Sequence, residues 1–372
     1  MAMPSPRHGG AIVYLEALVN EARQAVPDWA ACALQLLRWS AALDAIPMSV
    51  AGWLRARCPP HLGRLADVRI DSLYYIGCDP LAPTQRVYDA VWRAQRQCVT
   101  ELLGRLSDEG VAAVAFKGAE ILARHFGQAS LGLLGDVDLL VDRADLGRVK
   151  RVAYAEGYRQ ARYQPDAEEL VDADIDAVAS FEDRHYELYP FCVPVRLDLT
   201  DPEIDLCRTW PAGPIHIAGG DCIAEVELDI HHRVALDIET RPLLDRRRPS
   251  ALGVGSAMSA ADHLWFITAR LYNEMALHGK GSLRDFVYII ATLCHEAIDW
   301  DVVLGAAEEY ELRPALYYFF SFVSALGAAP IPSEVLAALS PLCGSRIGDW
   351  GWQIARLFEV VDPCPLPLGA AP

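Results

Sequence analysis

Residues Val111 to Asp142, VAAVAFKGAEILARHFGQASLGLLGDVDLLVD, narrow the possible folds more than any other stretch of this chain. They read as a short buried strand, a Lys117-Gly118 turn, a helix, and a second strand that opens Asp136-Val137-Asp138. Side chains alternate along a strand, so Asp136 and Asp138 project from one face. Val137, Leu139, Leu140 and Val141 give that strand an apolar setting. Two carboxylates held this way can bind a divalent metal together.

The remaining composition bounds what can surround this unit. A chain of 372 residues can bury a sizeable core, and its length suggests two or three domains. Hydrophobic content of 52% and charged content of 22% are those of a globular protein. No apolar run reaches the roughly 18 residues of a membrane-spanning helix. The opening MAMPSPRHGG has no basic region followed by an apolar core, so a secretory signal is not expected. The ten cysteines form no CxxC pair and read as reduced and mostly buried, which places the expected location in the cytoplasm. A net charge of −17 argues against a broad grip on nucleic acid, which needs a basic footprint, though not against local recognition of a nucleotide. Only three of the 33 basic residues are lysines, Lys117, Lys150 and Lys280. In such a chain a lysine beside Gly118, or in the Gly279-Lys280-Gly281 turn, stands out.

Along the chain, residues 1–108 read as an N-terminal helical region, with Leu15, Leu18, Val19 and Ala22 at helical spacing. Ala30 to Leu43 is a second periodic run, and Val87 to Leu106 a long amphipathic helix. Residues 109–245 alternate strands and helices: a helix from Ala144 to Glu156 stopped by Gly157, then strands near Tyr158–Tyr163, His185–Phe191, Val193–Thr200 and Ala224–Val234. Residues 166–183 carry eight carboxylates and no base, and read as a solvated loop or mobile lid. Asp172, Asp174 and Asp176 imitate a calcium loop, but Ala177 stands where its sharp turn needs glycine, so no calcium site is expected. Arg246-Arg247-Arg248-Pro249 reads as a solvated linker. Beyond it, residues 246–361 read as a C-terminal helical bundle. Ser259…Asp262 and Ser282…Asp285 each match a helix-start capping box, with both aspartates as capping residues. Lys280 and Arg284, close to a helix start, are candidate phosphate contacts. Residues 362–372 read as a flexible tail. No internal repeat is visible.

Strand, Lys-Gly turn, helix, Asp-x-Asp strand, a later carboxylate strand and a helical bundle occur in one order. That order resembles the nucleotidyltransferase superfamily that includes DNA polymerase β and the aminoglycoside nucleotidyltransferases. More closely, FKGAEILARHF, GDVDLLV and LDIHHRV look like a family of poorly characterised bacterial nucleotidyltransferases. The runs DHLWFITARLYNEM, SLRDFVYIIATL and IDWDVV resemble that family's helical half. The likeness covers residues 85 to 340. It implies an α+β fold, a small mixed β-sheet core between an N-terminal helical region and a C-terminal helical bundle.

The resemblance also implies a chemistry: transfer of a nucleoside monophosphate from a nucleoside triphosphate, with release of pyrophosphate. Mg²⁺ prefers a few carboxylates plus substrate phosphates, which suits Asp136 and Asp138, and a two-ion site can serve both the attacking and the leaving oxygen. Gly118, at a helix start, would offer backbone N–H groups to phosphate, and Lys117 a point charge. Asp229 in Leu228-Asp229-Ile230-His231 matches the family's third carboxylate best, as metal ligand and candidate base. Glu227 shares its strand face, and Asp198 is the competitor. His231 and His232 alternate across the strand, so one is expected to be a core histidine rather than a metal ligand. The chain departs from the family at Gly132, where an arginine is expected, at His232, where an aromatic residue is expected, and at Asn273, where a histidine is common. The leading expectation is a Mg²⁺-dependent nucleotidyltransferase acting on an unidentified acceptor, a small molecule or peptide ahead of a long nucleic acid. The alternative, supported by Gly132, is a catalytically silent relative that binds a nucleotide or a partner protein.

Overall fold

A computed structural model describes residues 28–164, 169–210, 213–235, 238–279 and 281–340, with residues 354, 357 and 358 besides. The fold is α+β, and the chain divides into two compact units. One unit holds the residues up to Cys78 together with those from Leu264 onward. The other is the continuous stretch Asp79–His263. No helix among the described residues is long and apolar enough to cross a membrane.

The first unit is helical. Its N-terminal part contains α1 (Asp28–Trp39), α2 (Met48–Arg57), α3 (Leu62–Asp67) and α4 (Asp71–Cys78). The expected helix through Leu15 to Ala22 lies outside the described residues. Everything that forms the sheet then follows within Asp79–His263. The long helix α5 (Pro83–Asp108) belongs to this stretch, although its amphipathic pattern grouped it with the N-terminal helices. Proline at its first position needs no N–H partner, and Gly110 at φ 69° ends it in the left-handed conformation.

Seven strands build the main sheet among the described residues, in the order β5-β7-β2-β1-β9-β8 with β6 also on β7. They are β1 (Val114–Phe116), β2 (Asp136–Leu140), β5 (Phe191–Leu197), β6 (Ile215–Ala218), β7 (Asp221–His231), β8 (Arg248–Pro249) and β9 (Ser256–Ala257). A separate hairpin joins β3 (Ala161–Gln164) to β4 (Glu169–Asp172). Between these lie α6 (Lys117–Ile121, running into a π-helical turn Leu122–Phe126), α7 (Leu146–Ala155), α8 (Ile175–Arg184), α9 (Asp201–Cys207) and α10 (Thr240–Asp245). The chain returns to the helical unit through α11 (Ala260–His278), followed by α12 (Arg284–His295), α13 (Trp300–Glu309), α14 (Arg313–Leu326) and α15 (Ser333–Leu339).

β7 is the spine of the sheet, and its sequence DCIAEVELDIH shows why. Cys222, Ala224, Val226, Leu228 and Ile230 are all buried to 1% exposure or less, while Glu225, Glu227 and Asp229 take the opposite face. Val87, Val91 and Ala94 of α5 pack with Cys222, Ala224, Leu197 and Cys207 to form one core on the apolar side. β5 lies at the sheet's end, the position where Pro194 can sit in a strand.

Four local expectations fail. In the acidic run, residues 166–168 lie outside the described residues and the rest is not a loop: Glu169–Asp172 pairs with β3, and Asp174 caps α8 by accepting from the Asp176 and Ala177 N–H groups. His185–Phe191 is not a strand before Phe191; a single bridge, Glu187 to His231, touches β7. Arg246–Pro249 is not a solvated linker. Arg248-Pro249 pairs with β9, and Arg246 grips both oxygens of Asp262 at 2.9 and 2.7 Å. The Ser259 cap is realised, with the Asp262 N–H donating to Ser259 Oγ at 3.1 Å. The Ser282 box is not, since α12 begins after Leu283 with no side-chain cap.

Asp262 is fully buried, so its bidentate arginine matters more than an exposed pair would. Arg246→Ala removes both guanidinium bonds from that carboxylate and should cost roughly 2–4 kcal/mol in urea unfolding, somewhat less than the roughly 3–5 kcal/mol for breaking a fully buried pair because Arg246 itself is partly exposed. Asp262→Asn in the same variant should recover part of the loss. Wild-type stability in Arg246→Ala would show that the pair anchors nothing.

Candidate active site

The geometry starts from strand register. β2 and β7 run parallel with Asp136 beside Glu227, Asp138 beside Asp229, and Leu140 beside His231. On the other side of β2, Phe116 of β1 is the partner of Asp138. The chain leaving β1 therefore delivers Lys117 beside Asp138. Asp136, Asp138, Asp229 and Lys117, separated by up to 112 positions in sequence, converge on one face. Ligand atoms of Asp138, Asp229 and His231 lie within 4.8 Å of one another. Asp198 is not part of this group: Leu197 before it faces Cys222, seven positions from Asp229, roughly 23 Å at about 3.3 Å per residue.

Asp138 is buried, and its Oδ1 takes both the Lys117 ammonium and His231 Nε2, the latter at 3.0 Å. His231 Nδ1 faces Glu187 Oε2 at 3.3 Å, and Phe116 and Tyr186 flank the ring. Burial alone would push the Asp138 carboxyl up. The Lys117 charge and the His231 bond outweigh it and hold Asp138 well below the usual carboxylate range. Asp229 shows the opposite balance: burial, then the charges of Asp136, Asp138, Glu227 and Glu187, push it up to about 8. Of the two histidines, one of which was expected in the core, His231 is buried with its ring turned to the acidic face, as the partner that orients Asp138.

Farther along the face, Cys192, Glu225 and Glu227 form a second cluster whose ligand atoms come equally close. Its carboxylates already have cationic or N–H partners. Arg162 pairs with Glu227, His216 Nε2 lies 3.0 Å from Glu225, and the Tyr163 N–H donates to Glu225 at 3.0 Å. The Arg162 and Tyr163 bonds fasten the β3–β4 hairpin to β7.

The approach to β2 is held by α5. Gln85 donates to Ser130 O, Trp92 to Gly127 O and Gln95 to Leu134 O, while Asp89 accepts from the Ser130 N–H. Gly132 within this loop adopts φ 74°, a conformation that strains an arginine whatever space is open. Gly118 is buried in the first turn of α6. Lys117 itself has φ 56°, and its N–H donates to His263 Nε2 at 2.6 Å. His263 stood in the DHLWFITARLYNEM run without a site role, and Glu187 in no motif; tertiary contact brings both in. Arg284 belongs to the helical unit, where its guanidinium lies 5.8 Å from the Tyr288 ring centre. Lys280 lies outside the described residues.

An α+β unit that sets a carboxylate pair on one strand against a third on its parallel neighbour presents the oxygen donors that a divalent cation accepts. Residues 84–327, well over half the chain, match the model of a family described as uncharacterised nucleotidyltransferase, and the chain belongs to that family. No curated protein and no solved structure matches it.

Asp229 makes a pH test possible. An unfolded aspartate loses its proton near pH 4, roughly, whereas folded Asp229 keeps it to about 8. Between those values the folded, ion-free chain binds a proton the unfolded chain has lost, so this residue's contribution to stability falls as pH rises and levels off above the window. Urea unfolding in chelator from about pH 5 to about pH 9 should show Asp229→Asn gaining on wild type as pH rises. A gap that stays constant would mean that Asp229 is not protonated at neutral pH.

Proposed function

We propose that this chain transfers a nucleoside monophosphate from a nucleoside triphosphate to an acceptor nucleophile, releasing pyrophosphate, with Mg²⁺ as cofactor. The observation that carries the reading is the register of β2 against β7, which sets Asp138 beside Asp229 with Asp136 on the same face. The residues fit the ion. Carboxylate oxygens are the donors Mg²⁺ prefers, and their mutual repulsion, which pushes Asp229 up, is what a divalent cation would relieve.

Asp136, Asp138 and Asp229 would hold Mg²⁺, with two ions as the expected complement. When bound, the metal supplies charge stabilisation at the reacting phosphate and the leaving pyrophosphate. The protein's own groups divide the remaining work. Lys117 offers a positive charge at the strand end, and the first turn of α6 at Gly118 offers backbone N–H groups toward phosphate. Asp229, once ionised, can take the proton of the acceptor hydroxyl. His231 and Glu187 keep Asp138 in one orientation. The acidic balance of −17 favours a small molecule or a peptide over a long nucleic acid as acceptor.

The second reading is a relative that binds nucleotide without transferring it. Gly132, whose left-handed backbone takes the place of an expected arginine, is the observation in its favour. Incubation with Mg²⁺ and each nucleoside triphosphate, following pyrophosphate release and the mass of candidate acceptors, separates the two. Asp136→Asn and Asp138→Asn should each lower release on the order of 100-fold or more, and Asp198→Asn should leave it unchanged. Transfer at the wild-type rate in both active-site variants would place the chemistry elsewhere. Nucleotide binding without pyrophosphate release would favour the second reading.

A further inference from the structure

β1 and β9 are parallel neighbours, with Val114 beside Ser256 and Ala115 beside Ala257. The pairing continues past the end of β9, where the Met258 N–H donates to Ala115 O of β1 at 3.2 Å. Each strand feeds a helix in the same direction: β1 leads into α6 at Lys117, and β9 into α11 at Ala260. The first N–H groups of a helix have no partner within it. Phe116, at the cap position of α6, supplies no side-chain bond. The partner comes from next door, where His263 in the first turn of α11 accepts the Lys117 N–H on Nε2 at 2.6 Å.

This arrangement is braced on both sides. Arg246 holds Asp262, the residue before His263. On the α6 side, fully buried Glu120 pairs with Arg124 and accepts from Ser250 Oγ at 2.6 Å and from the Ala251 N–H, and Arg124 also donates to Pro249 O. The segment that looked like a linker thus walls the turn that carries Lys117. The histidine is 2% exposed, and burial together with Arg248, His125 and Arg124 holds it down to about 3, so its ring is neutral and Nε2 keeps a lone pair for an N–H donor. Lys117 needs such a hold. At φ 56° it occupies a conformation that residues with a Cβ avoid, and its ammonium is aimed at Asp138 from that backbone.

We propose that His263 is a positioning residue: by accepting the Lys117 N–H it fixes the left-handed turn that places the lysine ammonium at Asp138. The role in catalysis rests on the nucleotidyl-transfer reading, whereas the placement of Lys117 can be measured without it.

Two measurements test the proposal on the full-length chain. The first is amine acetylation of the native protein, followed residue by residue by mass spectrometry. The chain has only three lysines, so Lys150 serves as internal standard. His263→Leu should raise Lys117 labelling relative to Lys150 on the order of tenfold, as loss of one buried hydrogen bond allows. His263→Gln, whose amide oxygen reaches the place of Nε2, should restore slow labelling; His263→Asn, which stops short, should not. If His263→Leu fails to fold, the Gln and Asn pair carries the test. Equal Lys117 labelling in those two overturns the proposal.

The second measurement is the rate constant for pyrophosphate release. His263→Leu should lower it in the wild-type background and have no further effect in Lys117→Met, because both changes remove one function. Losses that multiply would mean that His263 acts by general stability, which also overturns the proposal. If wild type releases no pyrophosphate with any triphosphate while labelling follows the Leu, Gln and Asn pattern, the nucleotidyl-transfer reading falls and the hold on Lys117 stands.

Discussion

Repulsion among carboxylates on two adjacent strands governs the sheet unit. Asp136, Asp138, Glu227 and Asp229 occupy neighbouring positions on one face of β2 and β7, a placement that costs free energy unless charge is removed or matched. The fold does both. Lys117 and His231 stabilise the ionised form of Asp138, Arg162 meets Glu227, and Asp229 retains its proton. What holds these partners in place is the apolar opposite face of β7, closed by α5. Removing the charges would ease the sheet; keeping them is a cost that the proposed metal binding would offset.

The two segments that fix the partners come from distant parts of the sequence. Lys117 arrives because β1 ends beside Asp138, and its backbone is tied to the start of α11 through His263. Arg162 arrives on a hairpin that rests on β7 through Tyr163 and Glu225. The acidic face is therefore bracketed by two positively charged side chains of different chemistry. Lys117 is a compact ammonium beside the innermost carboxylate, and Arg162 a half-exposed guanidinium farther along the face.

The parts of this design legible in the sequence are those dictated locally. Alternation in DVDLL and DCIAEVELDIH is a property of each strand alone, and it identified β2, β7 and the face shared by their acids. The periodicity of α5 is likewise local, as is the Ser259 cap. The register of β2 on β7 is not local, and the choice between Asp229 and Asp198 needed it. Two-residue strands such as β8 and β9 carry no period at all, so Arg246 to Pro249 looked like a solvated run of arginines until pairing and the Asp262 carboxylate gave it a place. The acidic segment before α8 misled for a similar reason: composition predicted solvation, while one aspartate at a helix cap and one short hairpin ordered it. His263 lay inside an apolar helical run, where its neighbour Lys117 is 146 positions away.

The division of the chain also bears on how it is made. The sheet unit is one continuous stretch, but the helical unit is assembled from residues on both sides of it. During synthesis α1 to α4 leave the ribosome first, and the helices from α12 onward that complete their unit follow only after Asp79–His263 has been made. At about 5–20 residues per second that wait is roughly 10 to 40 seconds. The sheet unit can close its core as it emerges, while the earlier helices present apolar faces without their later partners. Translation speed across the sheet unit thereby sets how long those faces wait for their partners.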